Sequence, residues 1–150
     1  MVITGSGVLD LGTLASTSYS TGTVDIEVGT NAVNGASVTA RSTNGGLQNA
    51  SNATVYLNSL TADEVADSYR FSSSIDASED SAYTSFTQAA SLSTEVNDNT
   101  TNHVLYTSNK PQALSVTTDD FLFNVSAQPD AQSPAGDYND VVVVTVTGNF

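Results

Sequence analysis

The chain has 150 residues, enough for one domain with a core of its own. It carries 16 Asp and Glu against 3 Lys and Arg, a formal charge of -13. A nucleic-acid partner is excluded on that balance, because phosphate binding needs a basic patch, and an anionic membrane surface is disfavoured for the same reason.

Charged residues make up only 13% of the chain, so the acidity is not that of a polyelectrolyte tail. The polar surface is mostly uncharged, with 21 serines, 20 threonines and many asparagines. Aromatic and β-branched residues recur throughout, which argues for a packed fold. Cysteine is absent, which removes disulfides, thiol catalysis and Cys-based zinc sites. No stretch approaches the ~20 apolar residues of a membrane helix, so membrane insertion is not expected. The start, MVITGSGVLD, has neither the basic region nor the apolar run of a secretion signal.

In chain order, MVITGSGVLDLGTL comes first. Its odd face carries Ile3, Gly5, Gly7, Leu9 and Leu11, and its even face is mixed. Two glycines weaken a strand that stands alone but let it settle between close neighbours. The stretch TGTVDIEV, 21–28, alternates with period two and puts Val24, Ile26 and Val28 on one face. ASVTARS follows as a strand with Val38 and Ala40 inward. Asn34-Gly35 between them predicts an antiparallel hairpin. ATVYLN, 53–58, is a further strand. Thr61 and Glu64 have capping-box spacing and predict one short helix near 62–67, where Asp63, Glu64 and Asp67 would favour the N-terminus.

A strand is expected at 69–75, and mostly loops and weak strands up to Asn102. HVLYT, ALSVT and FLFNVSA are later strands, at 103–107, 113–117 and 121–127. The turn-rich QPDAQSPAGDYND leads into Val141–Val144 and the alternating Thr-Val-Thr. That last strand is apolar on both faces at its start and is expected to be covered on both sides or central in its sheet. At a bare edge it would be an aggregation hazard. Many short strands and turns with one helix predict an all-β sandwich.

Catalysis has little to stand on. His103 is the single histidine, follows a polar run and is expected at the surface, and no nucleophile-elbow motif accompanies it. The clusters Asp76-Glu79-Asp80, Asp119-Asp120 and Asp137/Asp140 could bind Ca²⁺ through loop oxygens, but none has EF-hand spacing. No cofactor is expected; calcium is the one ion the acidic loops suggest. Sugar platforms favour Trp, which is absent, and the six tyrosines are dispersed. Asn49, Asn52 and Asn99 head glycosylation sequons in apparent loops, and Asn124 heads one inside a strand. Lys110 precedes Pro111 in a turn-like stretch and is expected to be exposed.

Pro134-Ala135-Gly136, Tyr138 and Asp140 ahead of a Val/Thr strand resemble the C-terminal signature of secreted β-sandwich fibre subunits, such as spore-coat-protein-U-like domains and chaperone–usher-type pilins. The stretch from GVLDLGTL through TNAVNGASVTARSTNGGL is similar to surface β-sandwich proteins of bacteria and archaea and to TasA-like biofilm fibre subunits. The missing cysteine pair departs from the pilin pattern and favours the TasA-like branch or the other surface β-sandwich proteins. The resemblance implies an immunoglobulin-like or jelly-roll sandwich, secreted and non-enzymatic, in one domain over 12–150 with residues 1–11 as its N-terminal strand. It further implies a homopolymer built by donor-strand complementation. Val2, Ile3, Gly5, Gly7, Leu9 and Leu11 would form the donor, and Val142, Val144 and Val146 a wall of the acceptor groove. The alternatives are a monomeric adhesin or sugar-binding module that meets surface glycans, and a calcium-binding S-layer or cell-wall domain.

Overall fold

A computed structural model describes residues 7–58, 67–75, 86–88, 94–111 and 121–150. The strands are β1 (Ser20–Ile26), β2 (Ala36–Ser42), β3 (Leu47–Asn49), β4 (Asn52–Leu57), β5 (Ser68–Ile75), β6 (Phe86–Gln88), β7 (Thr94–Glu95), β8 (His103–Ser108), β9 (Phe121–Gln128), β10 (Tyr138–Asn139) and β11 (Val142–Gly148). They form three antiparallel sheets, ordered β1-β9-β5-β7, β11-β2-β8-β6 and β10-β3-β4. The protein is all-β and sandwich-like. The helix expected near 62–67 lies outside the described residues except for Asp67, and so does the strand expected at 113–117. Among the described residues no helix is long and apolar enough to cross a membrane.

Period-two patterning explains the long strands. β1 turns Gly22, Val24 and Ile26 inward and Thr21, Thr23 and Asp25 outward. In β2 the inward set is Ala36, Val38, Ala40 and Ser42. Their partners across the layer come from β5, β8 and β9: Phe71, Leu105, Tyr106, Phe123 and Val125. Phe71 stands edge-on to Tyr69 and Phe123, with ring centroids 5.4 and 5.2 Å apart, the geometry that aromatic quadrupoles favour.

β8 departs from strict alternation. Val38 pairs with Tyr106 while Thr39 pairs with Val104, so Leu105 is the extra residue of a β-bulge. The bulge is why Leu105 and Tyr106, neighbours in sequence, are both buried. Tyr106 then crosses the layer. Its hydroxyl lies 2.7 Å from the Ser74 carbonyl and 3.0 Å from that of Leu122, both in the opposite sheet.

The hairpin expected between residues 21–28 and 36–42 does not form. β1 pairs with β9, and β2 pairs with β11 and β8. Residues 27–35 cross from one sheet to the other. Gly35 does have the positive φ that turn chemistry anticipates, at 77°. Its purpose is close approach: a Cβ there would collide with the Ser108 backbone. The turn is also tied to the C-terminus, with Asn149 N–H donating to Gly35 O at 2.8 Å and Asn34 N–H to Asn149 O at 3.0 Å. A turn sequence that suits a hairpin suits this crossover equally well.

β11 is a second correction. It is an edge strand, bonded to β2 alone among the described residues. Val142, Val144 and Val146 pack against the core, while Val143 shares the outer face with Thr145 and Thr147. Val141 and Val143 are 63% and 39% exposed. The four-valine run is thus two inward residues and two outward ones, not a strand covered on both faces.

Removing the Tyr106 hydroxyl leaves two carbonyls of the opposite sheet without that donor. Tyr106→Phe is expected to lower stability by about 1–3 kcal/mol, read as a lower urea midpoint at unchanged slope.

Candidate functional site: a groove between two sheet edges

β1 and β11 each end a sheet. Among the described residues, neither has a strand on its outer side. A groove of about 1300 Å³ opens along them. Val24 and Ile26 line it from β1, Val142 and Val144 from β11, and Phe123 and Val125 from β9. Leu47, Leu57 and Tyr138 line it from the third sheet. Of the three expected wall residues, Val142 and Val144 lie in this lining, and Val146 packs against the core further along the same strand.

The chain's own N-terminal segment lies at the groove. Val2, Ile3 and Gly5 fall outside the described residues. Residues 7–14 belong to no sheet. They still alternate: Leu9 and Leu11 are half-buried against the core, while Asp10 between them is exposed. The contact is made over Gly22 of β1. A Cβ at Gly22 would lie 2.7 Å from Leu9 Cδ1 and 3.1 Å from Leu11 Cδ2. A glycine in the middle of a strand weakens it, and often marks such an approach. The extended stretch ends where Gly12 N–H donates to the Asp10 carboxylate at 2.8 Å, with Gly12 at φ 65°.

The PAGDYND stretch is organised around Asn49 and Tyr69. Gly136 is packed so closely on Asn49 that a Cβ would sit 2.7 Å from its amide nitrogen. Tyr138 pairs with Asn49, and its hydroxyl donates to Pro134 O at 2.6 Å. Asp140 accepts from Val141 N–H at 2.8 Å, from Asn44 N–H at 3.3 Å and from the buried Tyr69 hydroxyl at 3.1 Å. Burial pushes the Asp140 carboxyl above its ordinary value, against the hydrogen bonds it receives from Ser42, Tyr69 and the backbone. Burial and the nearby Asp140 carboxylate together push the Tyr69 phenol up.

The remaining sequence candidates separate. Asn49 is buried, and its Oδ1 accepts from Ser51 and Asn52 N–H at 2.9 and 3.1 Å. A glycan on its amide would require this turn to open, so Asn49 is unsuited to one in the folded chain. Asn52 and Asn99 are exposed, and Thr54 of the Asn52 sequon donates to Asn52 Oδ1 through both its amide and its hydroxyl. Asn124 lies in β9 with its amide tied to Thr23 and Ser74.

His103 is a further correction. It opens β8 on the inward face, is 9% exposed and stands edge-on to Phe71 at 5.8 Å. Desolvation lowers its pKa, with Asp98 acting the other way, and its Nε2 finds no partner among the described residues. Asp67 anchors the 130–133 turn, accepting from Asp130 N–H and the Ser133 hydroxyl. Lys110 is exposed. Among the described residues no three His, Asp or Glu side chains gather as a metal-binding group. The described tyrosines form no exposed row: Tyr69 and Tyr106 are buried, and Tyr19 stacks under Arg70 at 5.0 Å.

Comparison with protein-family models, with curated proteins and with solved structures finds no match.

Two carboxylates should titrate with opposite effects on stability. The Thr101 hydroxyl, then the Thr100 and Thr101 amides and the Thr100 hydroxyl, hold Asp98 well below the usual carboxylate range. Its contribution is present above the unfolded value of about 4 and fades as pH falls toward the lower folded value. Asp140 has a raised folded value, so its contribution is largest in acid and declines as pH rises from about 4 to that value. Denaturant titrations from pH 3 to 8 check this. The wild type should gain on Asp98→Asn as pH rises, and lose on Asp140→Asn.

Proposed function

We propose that this chain is a non-enzymatic structural subunit of an extracellular filament, polymerising head to tail by strand exchange at the groove. The observation that carries the reading is two strand edges, unpaired on their outer sides among the described residues, flanking one groove whose floor is valine, leucine and phenylalanine, with a segment of the chain's own sequence resting on it outside any sheet. The donor is residues 2–11 of the next copy. Inserted as a strand, it would pair its backbone with a free edge and turn Ile3, Leu9 and Leu11 into the groove. Gly5 and Gly7 would permit close approach, as Gly22 does on the acceptor side. Such contacts do not close on themselves, so they propagate as fibres.

Other features agree with this reading. A valine-rich edge such as β11, without an outer neighbour among the described residues, is a liability that proteins normally cover; a donor strand covers it. The hydroxyl-rich, cysteine-free composition suits a surface protein whose fold relies on sheets and not on disulfides. The reading needs no cofactor and no partner other than a second copy.

Electron microscopy of the purified chain at neutral pH tests the proposal. Long uniform threads are expected. The double variant Leu9→Asp, Leu11→Asp should give dispersed particles, because carboxylates in place of side chains that pack on the core over Gly22 are strongly disfavoured. A chain lacking residues 1–11 should also stay dispersed. Dispersed particles from the unaltered chain, or threads of equal length from the double variant, would contradict strand exchange.

A further inference from the structure

The outer face of the β11-β2-β8 sheet differs from the rest of this acidic molecule. Register places Thr147, Ser37 and Thr107 in one row, Thr145, Thr39 and Val104 in the next, and Val143 beside Arg41 in a third. None of these is acidic, on a chain of net charge -13. Val104 and Val143 are 45% and 39% exposed, and Thr107, Thr145 and Thr147 are exposed. Arg41 stands in the array, and Lys110 follows β8 by two residues. Two of the chain's three cations therefore belong to this face or its margin.

The hydroxyls on the two outer faces also behave differently. On the β1-β9-β5 sheet they bond across strands: Thr21 with Ser126 at 2.8 Å, Thr23 to Asn124 at 2.8 Å, and Asn124 to Ser74 at 3.3 Å. That face also carries Asp25 and the Arg70–Glu95 ion pair. On the β11-β2-β8 face, Ser37, Thr39, Thr107, Thr145 and Thr147 make no such bonds among the described residues. One face bonds several of its polar groups to one another, and the other presents its hydroxyls outward between methyl groups.

We infer that this face is a second self-association surface, on which two copies pack sheet to sheet, separate from the groove. Charge selects the occupant. Copies of a chain at -13 repel over most approaches, and a face with a cation in it and no acid among the described residues of its three strands is where they can meet. Unbonded hydroxyls and valines at period two let two such faces interdigitate without burying a carboxylate. The ends of the array set the orientation. Arg41 donates to Asn99 O at 2.7 Å, which places the Asp98 turn beyond the third row, while Lys110 lies beyond the first. A two-fold axis through Thr39 brings the Lys110 end of one copy over the Asp98 end of the other. An array three strands wide falls short of the ~800 Å² per partner of a stable complex. The contact is therefore weak between single chains and strengthens wherever copies are already linked in a row.

The cysteine-free chain allows a direct test. Thr39→Cys places one thiol at the centre of the array, and Thr145→Cys places one beside it on β11 as an independent variant. Ala53→Cys, exposed on β4, is the control. Packed sheets lie about 10 Å apart, so a short bismaleimide spans two facing thiols. The product is read as covalent dimer on a denaturing gel, where filaments held by the groove fall apart. Non-covalent head-to-tail contacts therefore leave no band of their own on the gel, and the Ala53→Cys control carries whatever such assembly adds to the rate. Both array variants should cross-link at least about tenfold faster than Ala53→Cys, since a contact raises the local thiol concentration. Added NaCl should speed them further by screening the net charge, and Lys110→Glu in the Thr39→Cys background should slow the reaction. Cross-linking of both array variants at the control rate in low and high salt would overturn the inference.

Discussion

Two sheet edges, β1 and β11, border one groove floored by core valines, leucines and Phe123, and the organisation of the molecule follows from that placement. Each edge has bonded its inner neighbour, and among the described residues its outer backbone groups meet no strand. In water such an edge is a template for pairing. β11 is the more exposed of the two problems, because three valines on one side and Val143 on the other make it a strong strand former. The chain answers locally with Leu9 and Leu11, which rest on the groove over Gly22. They cover apolar surface, yet residues 7–14 join no sheet. Hydrophobic contact is supplied and the ladder is not.

Elsewhere the fold is closed with care. Asp140 and Ser42 hold the 42–46 turn, and Ser42 Oγ accepts from Gly45 N–H at 2.7 Å. Asn49 fastens the β3–β4 turn and meets Gly136, and Asp67 fastens the 130–133 turn. Tyr69 and Tyr106 carry polar tips from buried rings to partners on other elements. This density of turn anchoring through Asn, Asp and Ser explains why a chain so poor in charge pairs holds its loops. Short polar side chains mimic backbone and so replace ladder bonds where strands end.

The long strands were legible in the sequence because alternation is a physical requirement of a half-buried sheet. Residues 21–28 and 36–42 show their inward faces directly, and β9 does so through Phe123 and Val125. The valine run was misleading for a related reason: four apolar residues hide an alternation that resumes only at Thr145, so an edge strand read as a buried one. The Asn34-Gly35 hairpin failed because a positive φ is needed by hairpins and by crossovers that touch a neighbouring backbone. β3 and β10 were missed as three- and two-residue strands inside turn-rich sequence. His103 looked exposed after a polar run, but strand phase, set by Leu105 and Tyr106 further along, turns it inward. Of the groove, one wall and two leucines of its cover could be anticipated. Gly22 could not, since nothing in TGTVDIEV indicates what approaches it.

The central claim is that the groove accepts a strand from another copy. Its most direct test uses a chain lacking residues 1–11 and a synthetic peptide of residues 2–11, followed by backbone amide NMR. The account predicts saturable binding, with new amide protection along the outer edge of β1 or β11 and none for a peptide carrying Leu9→Asp. No binding, or binding that leaves both edges unprotected, would contradict it.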